Sequence, residues 1–553
     1  MQAVVGDHAV FFGFDLSPAA RTGCLGFALH RVDHTENESY WMSSFKTFRS
    51  VVPNPTSTVI YATNEQPVQS MWWGDYSAKP AHAYTYKVVP VYGTPADLAV
   101  DDTKSISLDV STGDPTTGVH GIYFNRGVAA SQAYATKFGA KPSDLPPALQ
   151  TEAMTWLSRG LHEAMLSFIV TDASPQLALR ATAYEFTEPS VLAAFAQAHA
   201  AGADVRIIYH AKPGDNQTAL NEQAIATAGL DPRILIARHH ATIAHNKFVV
   251  RATRAAAGTI AGEQVWTGST NMSKGGIFGH SNVGHAVRDG AVADAYLAYW
   301  AELSTDPVAG PLKTWVSANS PFDPNVHDAP GIHSVFSPRT DLAPLDWYAH
   351  CFTGVAAAHI TLPFGMDNQH FEPAVEAMPP GGPLRFVMLN KQDDHQGIWS
   401  RDHAIQVAVG AEGGPDVLSR WAQETLTGFN DFVDFLHTKI LLVGVLGPTP
   451  TVISGSANFS EASTTSNDEN MLVIDADRDV ADVYFTEYMR IFQHFYARWW
   501  ATKLGMSSPA GGADTESHSF LTEDATWQAP YWNPTSPKSH ERELYTNQVA
   551  NDI

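Results

Sequence analysis

His245-Asn246-Lys247 is followed by Gly268-Ser269-Thr270-Asn271, and His437-Thr438-Lys439 is followed by Gly455-Ser456-Ala457-Asn458. Each set offers an imidazole that can attack or carry a proton, a compact ammonium charge, and hydroxyl and amide donors. Two such sets together could carry out transfer at phosphorus without a metal. One histidine attacks, the other protonates the leaving alcohol, and the lysines with the Ser and Asn donors hold the non-bridging oxygens. Water then releases the phosphohistidine. A lone His-x-Lys arises readily by chance; its repetition with the same downstream partner carries the reading. The candidate catalytic residues are His245, Lys247, His437 and Lys439, with Ser269, Asn271, Ser456 and Asn458 as phosphate-binding groups. No metal and no cofactor are expected, since His239-His240 has no suitably spaced carboxylate or cysteine partner.

The flanking residues indicate what must position these groups. Phe248-Val249-Val250 and Ile440-Leu441-Leu442-Val443 predict that each His-x-Lys lies on a strand, where a period of two puts His and Lys on one face. The Gly-Ser-x-Asn segments follow Val265-Trp266-Thr267 and Val452-Ile453-Ser454, at the ends of neighbouring strands where α/β sheets commonly take ligands. Around them helix and strand patterns alternate. A helix is predicted over 148–169, a strand over 179–184, a helix over 191–200 and a strand over 205–209; the second region repeats the plan with a strand at 358–362, a helix at 371–378 and a strand at 384–388. Trailing helices begin with nearly the same words, Val292-Ala293-Asp294-Ala295-Tyr296 and Val480-Ala481-Asp482-Val483-Tyr484. The offsets are 192 residues at the histidines (245 to 437), 187 at the serines (269 to 456) and 188 at these helices (292 to 480), which points to a duplicated α/β unit.

Residues 1–113 have a different texture, with short Thr-, Val-, Tyr- and Trp-rich runs between Pro, Gly, Asn and Asp. Tyr84-Thr85-Tyr86-Lys87-Val88 and Leu25-Gly26-Phe27-Ala28-Leu29 read as strands, with Trp72, Trp73 and Tyr76 as core aromatics. The pattern is similar to that of a fibronectin type III or immunoglobulin sandwich. The expected organisation is a β-sandwich over 1–113, α/β halves over 114–325 and 326–505 closing around one site, and an extended tail over 506–553 that lies over the body or is disordered. Phe124-Asn125-Arg126-Gly127 is read as shaping the junction into the first half. The aromatic run Phe492, Phe495, Tyr496, Trp499 and Trp500 is read as packing on the second half.

The duplicated motifs resemble those of the phospholipase D superfamily, whose members build one site from two such halves. The resemblance implies phosphodiester hydrolysis through a phosphohistidine and spans about residues 120–505. It also implies that a residue eleven positions after each motif Asn orients the histidine of its own half: Asn282 for His245 and Glu469 for His437. A carboxylate raises the pKa of its imidazole, so His437 is expected to be the general acid and His245 the nucleophile. Two departures stand out. The superfamily's Asp five residues after Lys is replaced by Ala252 and Gly444, and the His-to-Ser intervals of 24 and 19 residues (245 to 269, 437 to 456) are long for the family.

Lys+Arg number 34 against Asp+Glu 57, a formal charge of -23, which disfavours sequence-blind attraction to nucleic acid or anionic surfaces. Phospholipid is therefore the expected substrate, a nuclease the alternative, and a binding or adhesion protein with a relic catalytic unit the alternative from another class. Neither a stable nucleic-acid partner nor a transmembrane segment is expected. The chain reads as a soluble monomer, cytoplasmic or exported without a recognisable signal peptide. Cys24 and Cys351 form no disulfide framework.

Overall fold

The computed structural model of the chain describes residues 1–44, 46–55, 60–127, 131–256, 258–325, 330–365, 369–379, 382–390, 404–410, 435–507 and 520–546. Two mixed sheets of seven strands dominate it. In the first, the strands run His120–Phe124, Val283–Val287, Ile260–Gly268, Lys247–Arg254, Leu177–Ala183, Asp204–His210 and Leu235–Arg238. In the second they run Gly331–Ser337, Glu469–Asp475, Thr451–Gly455, Ile440–Val443, Ala357–Leu362, Leu384–Leu389 and Ile405–Val409. Corresponding neighbours pair in the same sense, the last three strands of each sheet being parallel and the rest antiparallel.

Alternation along the central strands fills separate cores. Phe248 and Val250 join Ile440 and Leu442 in one apolar cluster between the sheets, whereas Val249 faces a cluster outside the first sheet and Leu441 one outside the second. A strand buried on both faces must be apolar at every position, as Phe248-Val249-Val250 and Ile440-Leu441-Leu442-Val443 are. The helices Gly290–Leu303 and Arg478–Ser507 supply the filling between the sheets, through Tyr296, Tyr299, Trp300, Tyr484, Phe485, Tyr488, Phe492 and Phe495. Of the aromatic run, Phe492 and Phe495 are buried there and Tyr496 is half-buried; the side chains of Trp499 and Trp500 lie outside the described residues.

The helix predicted over 148–169 is two helices, Pro147–Ser158 and Leu161–Val170. The apolar spacing runs through both, but Arg159 and Gly160 take φ of 52° and 90°, the left-handed conformation that ends a helix. Arg159 is held there by its buried Nη1, which donates to both Glu487 oxygens at 2.7 and 2.8 Å.

Residues 1–113 form a three-stranded sheet (Gln2–Val5, Val10–Gly13, Trp72–Asp75) and a five-stranded sheet built on Ala83–Thr94 and Gly26–Asp33. Phe12, Phe14, Phe27, Leu29, Tyr84 and Tyr86 share one core. Trp72, expected inside that core, turns the other way. It stacks on Phe11 at 5.6 Å and joins Tyr545 and Phe485 at the seam with the body, because Phe11 alternates with Val10 and Phe12. The C-terminal tail, expected to be extended, is helical over Ala525–Trp532 and Pro537–Tyr545 in its described part and lies over this region: Leu521 bridges to Phe48, Trp527 and Tyr531 complete the N-terminal core, and Trp527 donates to Cys24 O at 2.9 Å. No helix among the described residues is long and apolar enough to cross a membrane. Cys24 is buried, Cys351 half-buried, and both are free.

Candidate active site

His245 and His437 do not lie within the regular strands, as their spacing predicted. The strands start at Lys247 and Ile440, and each histidine sits in the segment that leads in. The reason is that the lead-in pairs with the opposite half. Ala244 bridges to Asp468 and Leu436 to Ser281. His245 N donates to Asp468 O at 3.0 Å, Asp468 N to Ile243 O at 3.0 Å, His437 N to Ser281 O at 3.1 Å and Ser281 N to Phe435 O at 2.9 Å. Those partner segments run directly into the strands starting near Asn282 and Glu469, so each orienting residue is delivered to the histidine of the other half.

Side chains complete the exchange. His245 Nδ1 lies 2.8 and 2.9 Å from the two Glu469 oxygens, and His437 Nδ1 lies 3.0 Å from Asn282 Oδ1. This reverses the pairing expected within each half. The rings, both almost wholly buried, have centroids 6.4 Å apart at an interplanar angle of 75°. With Nδ1 of each ring tied to the framework, Nε2 is the nitrogen left for chemistry.

The serines are committed in the same way. Ser269 Oγ donates to Asn282 Oδ1 at 2.7 Å and accepts from Val283 N, while Ser456 Oγ donates to Glu469 Oε2 at 2.7 Å and accepts from Asn470 N. The single hydroxyl hydrogen of each serine is thus given to the residue that holds a histidine. A glycine must precede each, since a Cβ at Gly268 would lie 2.4 Å from Val283 O and one at Gly455 2.3 Å from Asn470 O. Asn271 and Asn458 each retain a buried Oδ1 without a hydrogen-bond partner among the described residues. Lys247 and Lys439 are buried, each donating to the carbonyl of its own histidine at 2.6 and 2.7 Å.

Burial governs the charge states. It lowers His245 to about 4, against the opposing pull of Glu469, and lowers Lys247 to about 8, against Glu469 and Glu185. His437 is pushed well below the ordinary imidazole value by burial and then by Lys439, His280, Lys247 and His245. Lys439 is likewise driven down by burial and by Lys247. Burial alone would raise Glu469, but His245, Lys247 and the Ser456 hydrogen bond hold it below the ordinary carboxylate range. A carboxylate at Nδ1 therefore does not produce a high imidazole pKa here, because desolvation outweighs it.

Several contributors carry no motif. Asn125 donates to Ile277 O and His280 O and accepts from Asn282 N, while its neighbour Arg126 packs over Trp156 at 4.5 Å and donates to its carbonyl. Asn470 donates to Asn246 Oδ1 at 2.8 Å, and Arg238, on the first sheet, pairs with Asp468 at 2.9 Å, two further links between the halves. Glu185 accepts from Ser273 at 2.5 Å, and Tyr184 lies 5.1 Å from the His245 ring. In the sequence Asn125 and Arg126 are marked only as junction residues, and Asp468 and Asn470 only by their adjacency to Glu469. His239 and His240 bond to Ala211 O and Asp306. Among the described residues the one group spaced to hold a cation is Asp33, Glu36 and Glu38, on a hairpin of the N-terminal region.

Residues 173–303 and 387–495 match the family model described as "Cardiolipin synthase, PLD-like domain". Each matched segment holds one His-x-Lys and Gly-Ser-x-Asn set, so the likeness to a phospholipase D-like domain takes in both. Solved structures similar to the chain include Nuc, a phospholipase D family member from Salmonella typhimurium, with 22% identity, covering 26% of this chain and 87% of Nuc, at a TM-score of 0.21. Phosphatidylserine synthase from Haemophilus influenzae Rd KW20 has 11% identity, covering 71% and 92%, at a TM-score of 0.43. Yeast tyrosyl-DNA phosphodiesterase has 10% identity, covering 55% and 84%, at a TM-score of 0.29. No curated protein matches the sequence.

Proposed function

We propose that this protein is a phosphodiester hydrolase acting through a phosphohistidine on His245, with His437 as general acid and then general base, and that its substrate is a phospholipid. The observation that carries the reading is the facing pair of imidazoles, 6.4 Å apart, each held at Nδ1 by a group from the other half. The two seven-stranded sheets are then duplicated halves, over 114–325 and 326–505, around one phosphorus. The three-stranded and five-stranded sheets of residues 1–113 form a sandwich domain of fibronectin type III-like pattern.

In the first step the His245 Nε2 lone pair attacks phosphorus. The bond to the leaving oxygen breaks with its electron pair, and that oxygen takes the proton from His437 Nε2. In the second step His437 removes a proton from water, the water oxygen attacks phosphorus, and the nitrogen–phosphorus bond returns its pair to His245. Positive charge develops on His245 as it attacks, and Glu469 is placed to stabilise it. Asn282, which brings no charge, fixes the tautomer of His437. His245 therefore keeps the nucleophile's role on a different ground from that expected: a carboxylate stabilises the attacking ring as it becomes cationic. His437, neutral in the empty site, gains its proton as the anionic diester arrives among buried cations. Lys247, Lys439, Asn271 and Asn458 are the groups for the non-bridging oxygens; Ser269 and Ser456 are positioning residues.

Two features favour a lipid. Glu185 follows the strand Leu177–Ala183 by two residues and acts electrostatically on both lysines. Phe364 follows the strand Ala357–Leu362 by two residues, is 64% exposed, and its ring centre lies 6.0 Å from Lys439 Nζ. The phosphate is thereby flanked by a carboxylate suited to a cationic or hydroxylated alcohol and by an apolar ring suited to a hydrocarbon. The test is turnover of phosphatidylcholine and phosphatidylethanolamine in mixed micelles, with chelator and without, beside single-stranded DNA. Chelator-resistant lipid hydrolysis lost in His245→Ala is expected; cleavage of DNA alone selects a nuclease, and loss of activity in chelator overturns the metal-free mechanism.

A further inference from the structure

A third histidine, His280, stands against the candidate acid. Its ring centroid is 4.8 Å from that of His437, and it is almost wholly buried. It closes a π-helical turn, Gly275–Gly279, an irregularity that aims the carbonyl of Gly276 inward. Asn282 Nδ2 donates both its hydrogens here, to Gly276 O at 2.8 Å and to His280 Nδ1 at 2.8 Å. Its Oδ1 accepts from Ser269 Oγ at 2.7 Å and from His437 Nδ1 at 3.0 Å.

An amide has two unlike ends, and only one of its two orientations offers oxygen to His437. Reversed, Asn282 would present N–H to His437 Nδ1 and favour the tautomer with its proton on the wrong nitrogen. Glu469, the residue on the other histidine, has two equivalent oxygens and needs no such control. The second half accordingly has Asn467 where the first has His280, each two residues before its orienting group.

We propose that His280 is a positioning residue for the general acid: its unprotonated Nδ1, together with Gly276 O, locks the Asn282 amide so that His437 carries its resting proton on Nδ1 and turns Nε2 to the substrate. This deepens the phosphodiesterase reading and rests on it. The acceptor role requires a neutral His280 with its proton on Nε2. Burial, then Lys439 and Lys247, lower that imidazole to about 3, so it remains neutral throughout the working range.

The experiment is a double-mutant cycle on His280→Ala and Asn282→Asp, since an aspartate has no orientation to lose. His280→Ala alone is expected to lower kcat about tenfold or more on a substrate with an alkyl leaving group, with KM little changed, and to have under about a twofold effect on a p-nitrophenyl ester, which leaves without a proton. In the Asn282→Asp background the same substitution is expected to cost under about twofold on both. Equal losses in both backgrounds, or on both substrates, overturn the proposal. A readout independent of turnover is 15N-histidine NMR, with the His437 signals identified by their loss in His437→Asn. Wild-type His437 should show its neutral Nδ1–H form and His280→Ala a mixture of tautomers. An unchanged tautomer refutes the role of His280 whatever the activity; a changed tautomer in a protein that cleaves no diester leaves the lock standing and refutes the enzymatic reading alone.

Discussion

Glu469, at the head of a strand of the second sheet, accepts a hydrogen bond at 2.8 Å from Nδ1 of His245, which leads into a strand of the first, so the histidine ahead of one sheet is held by a residue of the other. The relationship follows from backbone pairing, because the segment through Asp468 that leads into Glu469 pairs with the one that leads into His245. A change at Glu469 should therefore be felt at a histidine 224 residues away.

If His245 is the nucleophile, rapid acid-free denaturation during turnover followed by peptide mass spectrometry should find phosphorus on the His245 peptide. His437→Ala should accumulate it from a p-nitrophenyl ester while losing about 10²–10⁴ in kcat on an alkyl ester. Label found on His437 reverses the roles.

Glu469→Gln keeps a hydrogen-bond acceptor but removes the charge that meets the developing imidazolium. A kcat loss of about 10²–10³ is expected, with KM nearly constant. A protonated His245 cannot attack, so kcat/KM of the native enzyme on a p-nitrophenyl ester, which leaves without a proton from His437, should fall as pH drops through about 4. Glu469 raises that value, so its neutralisation should move the acid limb to lower pH. A limb that moves up would contradict the assignment of partners.

Anion binding should weaken at alkaline pH. In the empty site burial holds Lys247 near 8, and a bound phosphate or tungstate ion raises it by adding negative charge. Affinity is therefore full below about 8 and declines as pH rises through the bound-state value, up to about tenfold per pH unit for each lysine involved. Isothermal titration of tungstate in buffers of different ionisation enthalpy would show proton uptake in this window, and less in Lys247→Met, where Lys439 alone remains to take up a proton.

Asp468→Asn should destabilise the fold as well as the site. It leaves Arg238, buried and 2.9 Å from that carboxylate, with Asp306 as its remaining acidic partner. A loss of about 3 kcal/mol is expected in urea unfolding. An unchanged midpoint would mean that water replaces the pair.

Trp527→Ala should destabilise the N-terminal region by about 3–5 kcal/mol, since the indole packs on Phe27 and is buried in that core. Limited proteolysis should then release the tail earlier, while the kcat of surviving native protein is unchanged.

Much of the fold was legible because it rests on local pattern. The uninterrupted apolar runs after Lys247 and Lys439, the near-constant spacing of about 190 residues, and the turn residues of the first hundred positions each reflect a periodicity that the backbone enforces. The break at Arg159 and Gly160 was hidden because the apolar spacing continues through it; the turn is fixed by Glu487, 328 residues on. Trp72 was assigned to the wrong side because alternation gives two faces without naming which neighbour covers each.

The sequence alone determined the inventory of the site: two histidines, two lysines, the Ser and Asn donors, and Asn282 and Glu469 at equal distance from their motifs. Tertiary structure alone decided who meets whom. Spacing along a chain constrains contacts only within one element or hairpin, whereas the pairing of His245 with Glu469 and of His437 with Asn282 is made where the chain leads into strands of separate sheets. The same holds for the serines turned to those partners, and for His280 beside Asn282, where a difference of two residues becomes meaningful only once a π-helical turn folds the ring back onto the amide.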